Sequence, residues 1–308
     1  MESRNALKAL EKLNLERIYY FESKDYRNLL RVNKVLESFP MHLIPLIINH
    51  KKNKRIREKV KLISTPIERE QVEYADPLPE GLTGVAYTCI TSGYDLPKEP
   101  LYNDPNLTYL LYTDLIEDMN TIWNQKEIKD VPVLSNSNYA NRYYKFHPFE
   151  LFKGQYDYSI YIDGNVQLIS DTSSLFSIAR DSNLGIAMHR HATMDCVYKN
   201  ALWCKYNHRG NVDAIEAQVK KYQDEGFPKD FGLLEATIIV IDLHNDIAQD
   251  ILNSWWDEFI NSNGGRDQIS LPYILWKKGY SVDDVGYLGN DEYHNPKFRI
   301  NEHIGKPL

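Results

Sequence analysis

Cysteine is scarce in this chain, and long apolar runs are missing. Only three cysteines occur in 308 residues, Cys89, Cys196 and Cys204, and their spacing matches neither a metal site nor a disulfide framework. No apolar run approaches the roughly 20 residues needed to span a bilayer. The first residues also lack the apolar core of a signal peptide. These absences predict a reducing, cytoplasmic location.

The chain also lacks the two common glycine-rich nucleotide motifs. Neither G-x-G-x-x-G nor G-x-x-x-x-G-K-[ST] occurs, which removes the main support for a hydride-transfer enzyme or a P-loop protein. The stretch Thr91-Ser-Gly-Tyr-Asp95 does not supply the Gly-rich, Lys-bearing loop of a sugar nucleotidyltransferase. A net charge of −7 argues against nucleic acid as the main partner.

Apolar residues and locally concentrated positive charge are present. The 43% apolar residues, with 22 tyrosines among the aromatic residues, suffice for a sizeable core. The first 80 residues carry 16 Lys/Arg against 12 Asp/Glu, and residues 51–61 hold seven Lys/Arg and one Glu. That basic run is either a solvated helix face or a patch for an anionic membrane or a polyanionic acceptor.

The pattern of elements predicts two parts. Residues 1–38 have near-helical apolar spacing, and prolines up to Gly81 mark a linker, so we expect a helical, basic extension over 1–80 and a second domain over 82–308. In that domain predicted strands alternate with helices; the strands cover residues 84–90, 107–112, 158–162, 184–188 and 236–241. Such alternation indicates an α/β fold with a mostly parallel sheet flanked by helices.

The segment Asp163-Gly-Asn165 interrupts an apolar strand. Open α/β sheets bind ligands at the carboxyl ends of their strands, and Asp163 stands at such an end. Carboxylate and amide oxygens bind hard cations, so Asp163 and Asn165 are candidate metal ligands. A tight turn is the alternative, because Asp, Gly and Asn are favoured turn residues.

Polar residues near two other strand ends and on one predicted helix are further candidates. Asp95 follows the first strand and Asp114 the second, where Asp114 is able to bind a ribose or base or to cap a helix. Arg142 and Lys145 lie three residues apart on one helix face, suited either to a phosphate or to surface ion pairs.

Later segments add four more candidates. Asp267 and Gln268 open a predicted helix, where polar side chains face a cleft or simply cap the helix. Near the C-terminus, His303 is able to bind a metal and Lys306 a phosphate, although a terminal histidine is more often a surface residue.

Taken together and in their order, these residues resemble GT-A-type glycosyltransferases of the glycogenin and lipopolysaccharide-galactosyltransferase group. The matching segments are 137–142, 161–165, 267–268 and 303–307. The chain resembles a narrower family more closely, namely the glycosyltransferase-like domain of plant seed-mucilage proteins and bacterial surface-polysaccharide loci. Segments 87–95, 141–148, 188–190 and 266–270 carry that likeness. Asn165 departs from the family pattern by replacing the second acid of D-x-D.

The resemblance implies a GT-A-like fold and a donor site for a nucleoside-diphosphate sugar, most simply a UDP-sugar, with Mn²⁺ or Mg²⁺. It implies these roles for residues of this chain: metal binding for Asp163, Asn165 and His303; phosphate binding for Arg142, Lys145 and Lys306; nucleoside binding for Thr88, Asp95 and Asp114; contacts with sugar hydroxyls for Asp267; and, for Gln268, the catalytic role of stabilising an oxocarbenium-like transition state.

The resemblance further implies transfer with retention of anomeric configuration. An inverting enzyme would instead need a carboxylate base, for which Glu235 and Asp267 are the candidates. His189 and Arg190 either contact the acceptor or serve the core and its ion pairs. The acceptor would be a glycan or a lipid-linked sugar of surface polysaccharide synthesis. The competing hypothesis is a scaffold protein that binds nucleotide or carbohydrate without turnover.

Overall fold

A computed structural model describes residues 55–74, 81–117, 120–129 and 136–304. The chain divides into two compact units, Met1–Leu62 and Ile63–Leu308. The helix predicted over 1–38 lies outside the described residues, whereas residues 55–63 are helical. The predicted domain limits, 1–80 and 82–308, stay a prediction. No helix in the described ranges is long and apolar enough to cross a membrane.

The second unit is built on a seven-stranded sheet and a small two-stranded one. The strands are β1 (Gly84–Ile90), β2 (Leu107–Thr113), β3 (Asn124–Glu127), β4 (Tyr158–Ile162), β5 (Val166–Leu168), β6 (Ile186–Arg190), β7 (Leu234–Asp242), β8 (Gly286–Tyr287) and β9 (Phe298–Ile300). The large sheet has the order β3-β2-β1-β4-β7-β6-β8. Only β7 runs against its two neighbours in it; every other pair is parallel.

Helices cover this sheet. They are α1 (Ser137–Phe146), α2 (Pro148–Phe152), α3 (Phe176–Asp181), α4 (Val197–Asn207), α5 (Val212–Asp224), α6 (Asp246–Ser262) and α7 (Asp267–Lys277). Both faces of the sheet are buried: Val85 and Tyr87 of β1 share one core with Trp255, and Ala86 between them shares another with Phe176. The predicted α/β class, a mostly parallel mixed sheet flanked by helices, is confirmed.

The ladder between β6 and β7 contains a wide bulge. Met188 pairs with Ile239, but the next residue, His189, pairs with Glu235. Residues 236–238 of β7 are therefore unmatched on the β6 side, while Ile238 still pairs with Ile162 of β4. A bulge bends its strand and re-aims side chains, and here it lies beside the carboxyl end of β4.

The small sheet brings the end of the described chain to the same place. Strand β5 begins one residue after Asn165, and it pairs antiparallel with β9 so that Val166 lies opposite Ile300. The residues that follow β9 are consequently placed next to the segment 163–165, although about 140 residues of sequence separate them.

Candidate active site

A two-part cleft opens at the carboxyl edge of β1 and β4. The part nearer β1 measures about 440 Å³ and the part nearer β7 about 550 Å³. We call them the β1 half and the β7 half. Six residues line both halves, so the two are continuous; they are Tyr94, Arg142, Asp163, Arg209, Arg266 and His303.

Asp163 lies where the two halves meet, with 28% of its side chain exposed. Its Oδ1 accepts a hydrogen bond from the Tyr161 hydroxyl at 3.0 Å, and its carbonyl accepts one from Val166 N, which closes a tight turn. Gly164 is needed here for close approach, because an added Cβ would lie 2.8 Å from Ile90. The turn interpretation is therefore confirmed, and the role of Asp163 as a metal ligand stays a prediction.

A buried ion network lies behind Asp163. Lys145 is almost completely buried, and its Nζ lies 2.8 Å from Asp267 Oδ2 and 3.6 Å from Asp163 Oδ1. Arg142 Nε lies 3.3 Å from the same Asp267 oxygen. Burial by itself would raise the pKa of Asp267, but Lys145, Arg142 and Arg266 hold that pKa far below its usual range. Asp267 is therefore a permanent carboxylate that fixes these cations.

The next residue connects this network to a second pair of acids. Gln268 Oε1 accepts from Arg266, and Gln268 Nε2 donates to Glu235 Oε2. Glu235 and Glu292 are both buried, and both line the β7 half. Burial, together with the neighbouring Glu292, raises the pKa of Glu235 well above its ordinary value. In contrast to Asp267, the surroundings of Glu235 favour its neutral form.

His303 and Asn165 are both fixed by partners. His303 Nδ1 lies 2.7 Å from Asp95 Oδ2, and Asp95 Oδ1 accepts from the backbone N of Ile304. Asn165 Nδ2 donates to the Asn301 carbonyl, and Asn301 Nδ2 donates to the Asn165 carbonyl. Any metal contact of Asn165 would thus have to use Oδ1.

These residues fit a divalent cation, with two oxygen donors and one imidazole. A carboxylate behind a histidine is the usual support of a metal-binding imidazole, and the Asp95–His303 pair provides it. In the described part of the chain no group of three or more His, Cys, Asp or Glu side chains is arranged to hold a metal. Asn165 would therefore have to complete the set, with further ligands from the diphosphate or water.

Other predicted site residues lie away from the cleft. Thr88 is fully buried within β1, and the exposed Asp114 accepts from the backbone N of Ser92 at 2.8 and 2.9 Å; neither residue lines the cleft. His189 is a core histidine next to Asn295, and burial lowers its pKa to about 3. Arg190 lines a separate groove with Tyr287. Lys306 lies outside the described residues.

Several lining residues were missed by the sequence analysis. They are Arg209, Arg266 and Glu292. Arg209 and Arg266 add positive charge at the junction of the two halves, beside Arg142. Nothing in local spacing marks Arg209, which follows a helix end in the polar insert. Arg266 directly precedes the Asp267-Gln268 pair, so the segment itself contained the signal.

The chain thus has an α/β fold with a cleft at the strand ends that three arginines line. The family model of the TOD1/MUCI70 glycosyltransferase-like domain matches residues 113–285, more than half of the chain, and the chain belongs to this family. The resemblance seen in the sequence is thereby confirmed. No curated protein matches the chain.

Similar solved structures carry the names of glycosyltransferases. The apo bifunctional glycosyltransferase WbbM is 13% identical over 70% of this chain and 40% of its own, with a TM-score of 0.41. The galactosyltransferase LgtC, with donor and acceptor sugar analogs, is 12% identical over 67% and 73%, with a TM-score of 0.39. Mouse xyloside xylosyltransferase 1 is 9% identical over 64% and 82%, at 0.36. The chain thus spans less than half the length of WbbM.

Proposed function

We propose that this chain is a glycosyltransferase that moves a sugar from a nucleoside-diphosphate sugar, a UDP-sugar, to a glycan or lipid-linked acceptor of surface polysaccharide synthesis. The observation that carries the proposal is the arrangement of Arg142, Arg209 and Arg266 around Asp163 at the junction of the two cleft halves. Guanidinium groups bind phosphate oxygens in a planar, bidentate manner, and a diphosphate needs several such donors.

In this proposal the β1 half holds the nucleotide and the β7 half holds the sugar. Tyr94 lines the junction and offers a ring to the base or ribose, while Gln268 and Asp267 border the sugar. Lys145 and Asp267 are buried against one another, so the charges facing the donor are set before it binds. Preorganised positive charge at a departing diphosphate is usually the largest catalytic contribution in such sites.

Asp163, Asn165 and His303 would hold Mn²⁺ or Mg²⁺. Such an ion neutralises negative charge that develops on the diphosphate as it leaves. The chain's own residues then have two tasks: Asp95 holds the imidazole of His303, and the Asn165–Asn301 amide pair holds the segment after β9 against the turn. Truncation of the chain at the end of β9 would remove both contacts, because Asn301 and His303 follow that strand.

The cysteines and the basic run 51–61 bear on the location of the protein and on its acceptor. Cys89, Cys196 and Cys204 are all unpaired and buried, which supports a cytoplasmic, reducing location. The basic run 51–61 would draw the enzyme to an anionic acceptor or to the anionic inner face of a membrane. Binding to vesicles with and without anionic lipid, at low and high salt, tests this contact; equal binding to both vesicle types contradicts it.

Calorimetry with UDP, with and without Mn²⁺, tests the main proposal, followed by a screen of UDP-, GDP- and dTDP-sugars for slow hydrolysis. We expect UDP to bind more tightly with the metal and one UDP-sugar to be hydrolysed. NMR of the first product formed then distinguishes retention, as the resemblance implies, from inversion. A protein that binds UDP but hydrolyses no donor would be the non-catalytic scaffold, and one that binds no nucleotide would contradict both.

A further inference from the structure

Glu235 and Glu292 meet in the β7 half although 57 positions separate them in sequence. Glu235 lies on β7 at the bulge, and Glu292 lies in the segment between β8 and β9. Their side chains are 8% and 3% exposed, and both line the cleft. Two carboxyl groups so close in a buried site cannot both carry a charge without a large cost.

The hydrogen bonds around Glu235 indicate which atom carries a proton. Gln268 is fixed by Arg266, which donates to its Oε1, so the amide group donates to Glu235 Oε2. Glu235 Oε2 is therefore an acceptor, and a proton shared with Glu292 would lie on the other oxygen of Glu235. In Glu292 itself, Oε2 is buried and has no hydrogen-bond partner among the described residues.

The charged groups around the pair do not remove this proton. His191 Nε2 lies 3.7 Å from Glu235 Oε2, but burial, with Arg266 and Arg69 nearby, lowers the pKa of His191 to about 4 and keeps it neutral. Arg266 favours ionisation of Glu235, whereas Asp267 opposes it. On Glu292, burial raises the pKa and Asp163 adds to the rise, while Thr237, Glu235 and Tyr293 oppose it.

We propose that Glu235 and Glu292 hold one proton between them and that Glu292 is the base that accepts the proton of the acceptor hydroxyl. The idea rests on the proposed glycosyl transfer. The acceptor oxygen forms the new bond to the anomeric carbon, the bond from that carbon to the diphosphate breaks with its electron pair going to the diphosphate, and the acceptor proton moves to Glu292 Oε2. Glu235 is a positioning residue, whose proton keeps Glu292 the charged member.

This assignment also narrows the earlier base candidates. Asp267 is occupied by Lys145 and Arg142, and Glu235 is neutral and occupied by Gln268. Both oxygens of Asp267 accept hydrogen bonds, from Lys145 and from Gln268 N, whereas Glu292 Oε2 is buried without a hydrogen-bond partner in the described structure. Tyr293 and Trp203 border the same half and offer rings to a sugar acceptor.

The test compares Glu292→Gln, Glu235→Gln and the control Glu216→Gln, an exposed glutamate paired with Lys205 on the helices α4 and α5. Hydrolysis of the UDP-sugar found in the donor screen serves as the reaction, with water as acceptor, and UDP affinity is measured in parallel. We expect Glu292→Gln to lower hydrolysis by about 10²–10⁴-fold, the usual contribution of a general base, with little change in UDP affinity. Glu235→Gln should move the acid limb of the pH–rate profile to higher pH, because the hydrogen bond from Glu235 that lowers the pKa of Glu292 is lost.

A second measurement needs no turnover. Infrared spectra of protein labelled with ¹³C-glutamate should show a protonated glutamate at pH 7 that disappears in Glu235→Gln and is unaffected in Glu216→Gln. Absence of that band, or hydrolysis by Glu292→Gln at the normal rate with the normal pH profile, overturns the assignment. A protein that binds no UDP-sugar and hydrolyses none contradicts the proposed function instead, and leaves the infrared result to decide the proton.

Discussion

Asp267 and Glu235 lie in the same cleft, at 3% and 8% exposure, and Gln268 contacts both through hydrogen bonds. Yet their surroundings shift the two pKa values in opposite directions. Three cations lie close to Asp267, whereas Glu235 has a second glutamate as well as Arg266 nearby. Burial penalises the charged form in both cases, so the partners decide the outcome. Within the β7 half, the acid beside Lys145 and Arg142 is thus kept ionised, and the acid beside Glu292 favours its neutral form.

Of the variants that test this difference between Asp267 and Glu235, Asp267→Asn should have the largest effect on stability. It leaves the buried Lys145 without its closest counter-charge, and removal of one partner of a buried ion pair costs about 3–5 kcal/mol. Denaturant unfolding at pH 7 measures the loss. Asp246→Asn is the control, because Asp246 pairs with Lys153 at the surface and should have little effect. Equal stability of the two variants would show that Asp267 does not stabilise the buried ion network with Lys145 and Arg142.

Loss of Asp163 should mainly affect transfer. In Asp163→Ala the cleft loses the one acid at the junction of its halves, and we expect transfer to fall by at least about 10²–10³-fold, the loss typical of removing one electrostatic contact to the transition state. The metal-dependent part of UDP binding should also disappear in calorimetry. Asp181→Ala, on an exposed ion pair with Arg180, is the control. Near-normal transfer by Asp163→Ala would contradict the metal assignment.

The pH dependence of the unfolding free energy tests whether Glu235, unlike Asp267, is protonated. Because the pKa of Glu235 is raised in the folded state, the native protein binds a proton that the unfolded chain releases above about pH 4.3, so stability declines as pH rises toward the folded pKa. Glu235→Gln removes this decline. Between about pH 4.3 and the folded pKa of Glu235, the unfolding free energy of Glu235→Gln should rise relative to that of the wild type by up to about 1.4 kcal/mol per pH unit. A constant difference between the two proteins across pH 5–8 would argue that Glu235 is already ionised.

The smallest effect is expected from Asn165→Asp. The added charge should tighten Mn²⁺ binding, while loss of the Nδ2 donor to the Asn301 carbonyl should cost about 1 kcal/mol of stability. Calorimetry and thermal unfolding measure the two changes, which have opposite signs. If Mn²⁺ affinity falls or stays the same, Asn165 serves the turn alone.

The sequence predicts the parts of this protein that depend on local order. Apolar runs such as 84–90 and 158–162 form strands at the predicted residues, and Asp163 stands at a strand end as expected. What could not be predicted depends on contacts between distant segments. The resemblance implies that Thr88 binds the nucleoside, but Thr88 is buried in the core. Asp95 contacts His303, which lies 208 positions away in sequence. Glu292 lies in an irregular stretch with no periodicity.

The bulge in β7 has a consequence that concerns the length of the chain. In a regular antiparallel ladder, the neighbour of His189 would be Ile238, which would leave Glu235 three positions beyond its present place. The unmatched residues 236–238 shift Glu235 back by that interval while Thr237 still accepts a hydrogen bond from the backbone of Asp163. Deleting those residues would leave Glu235 opposite His189, but it would remove the Thr237 carbonyl that accepts from Asp163 and the pairing of Ile238 with Ile162. The three extra residues thus let β7 contact the Asp163 turn on one side and bring Glu235 level with His189 on the other.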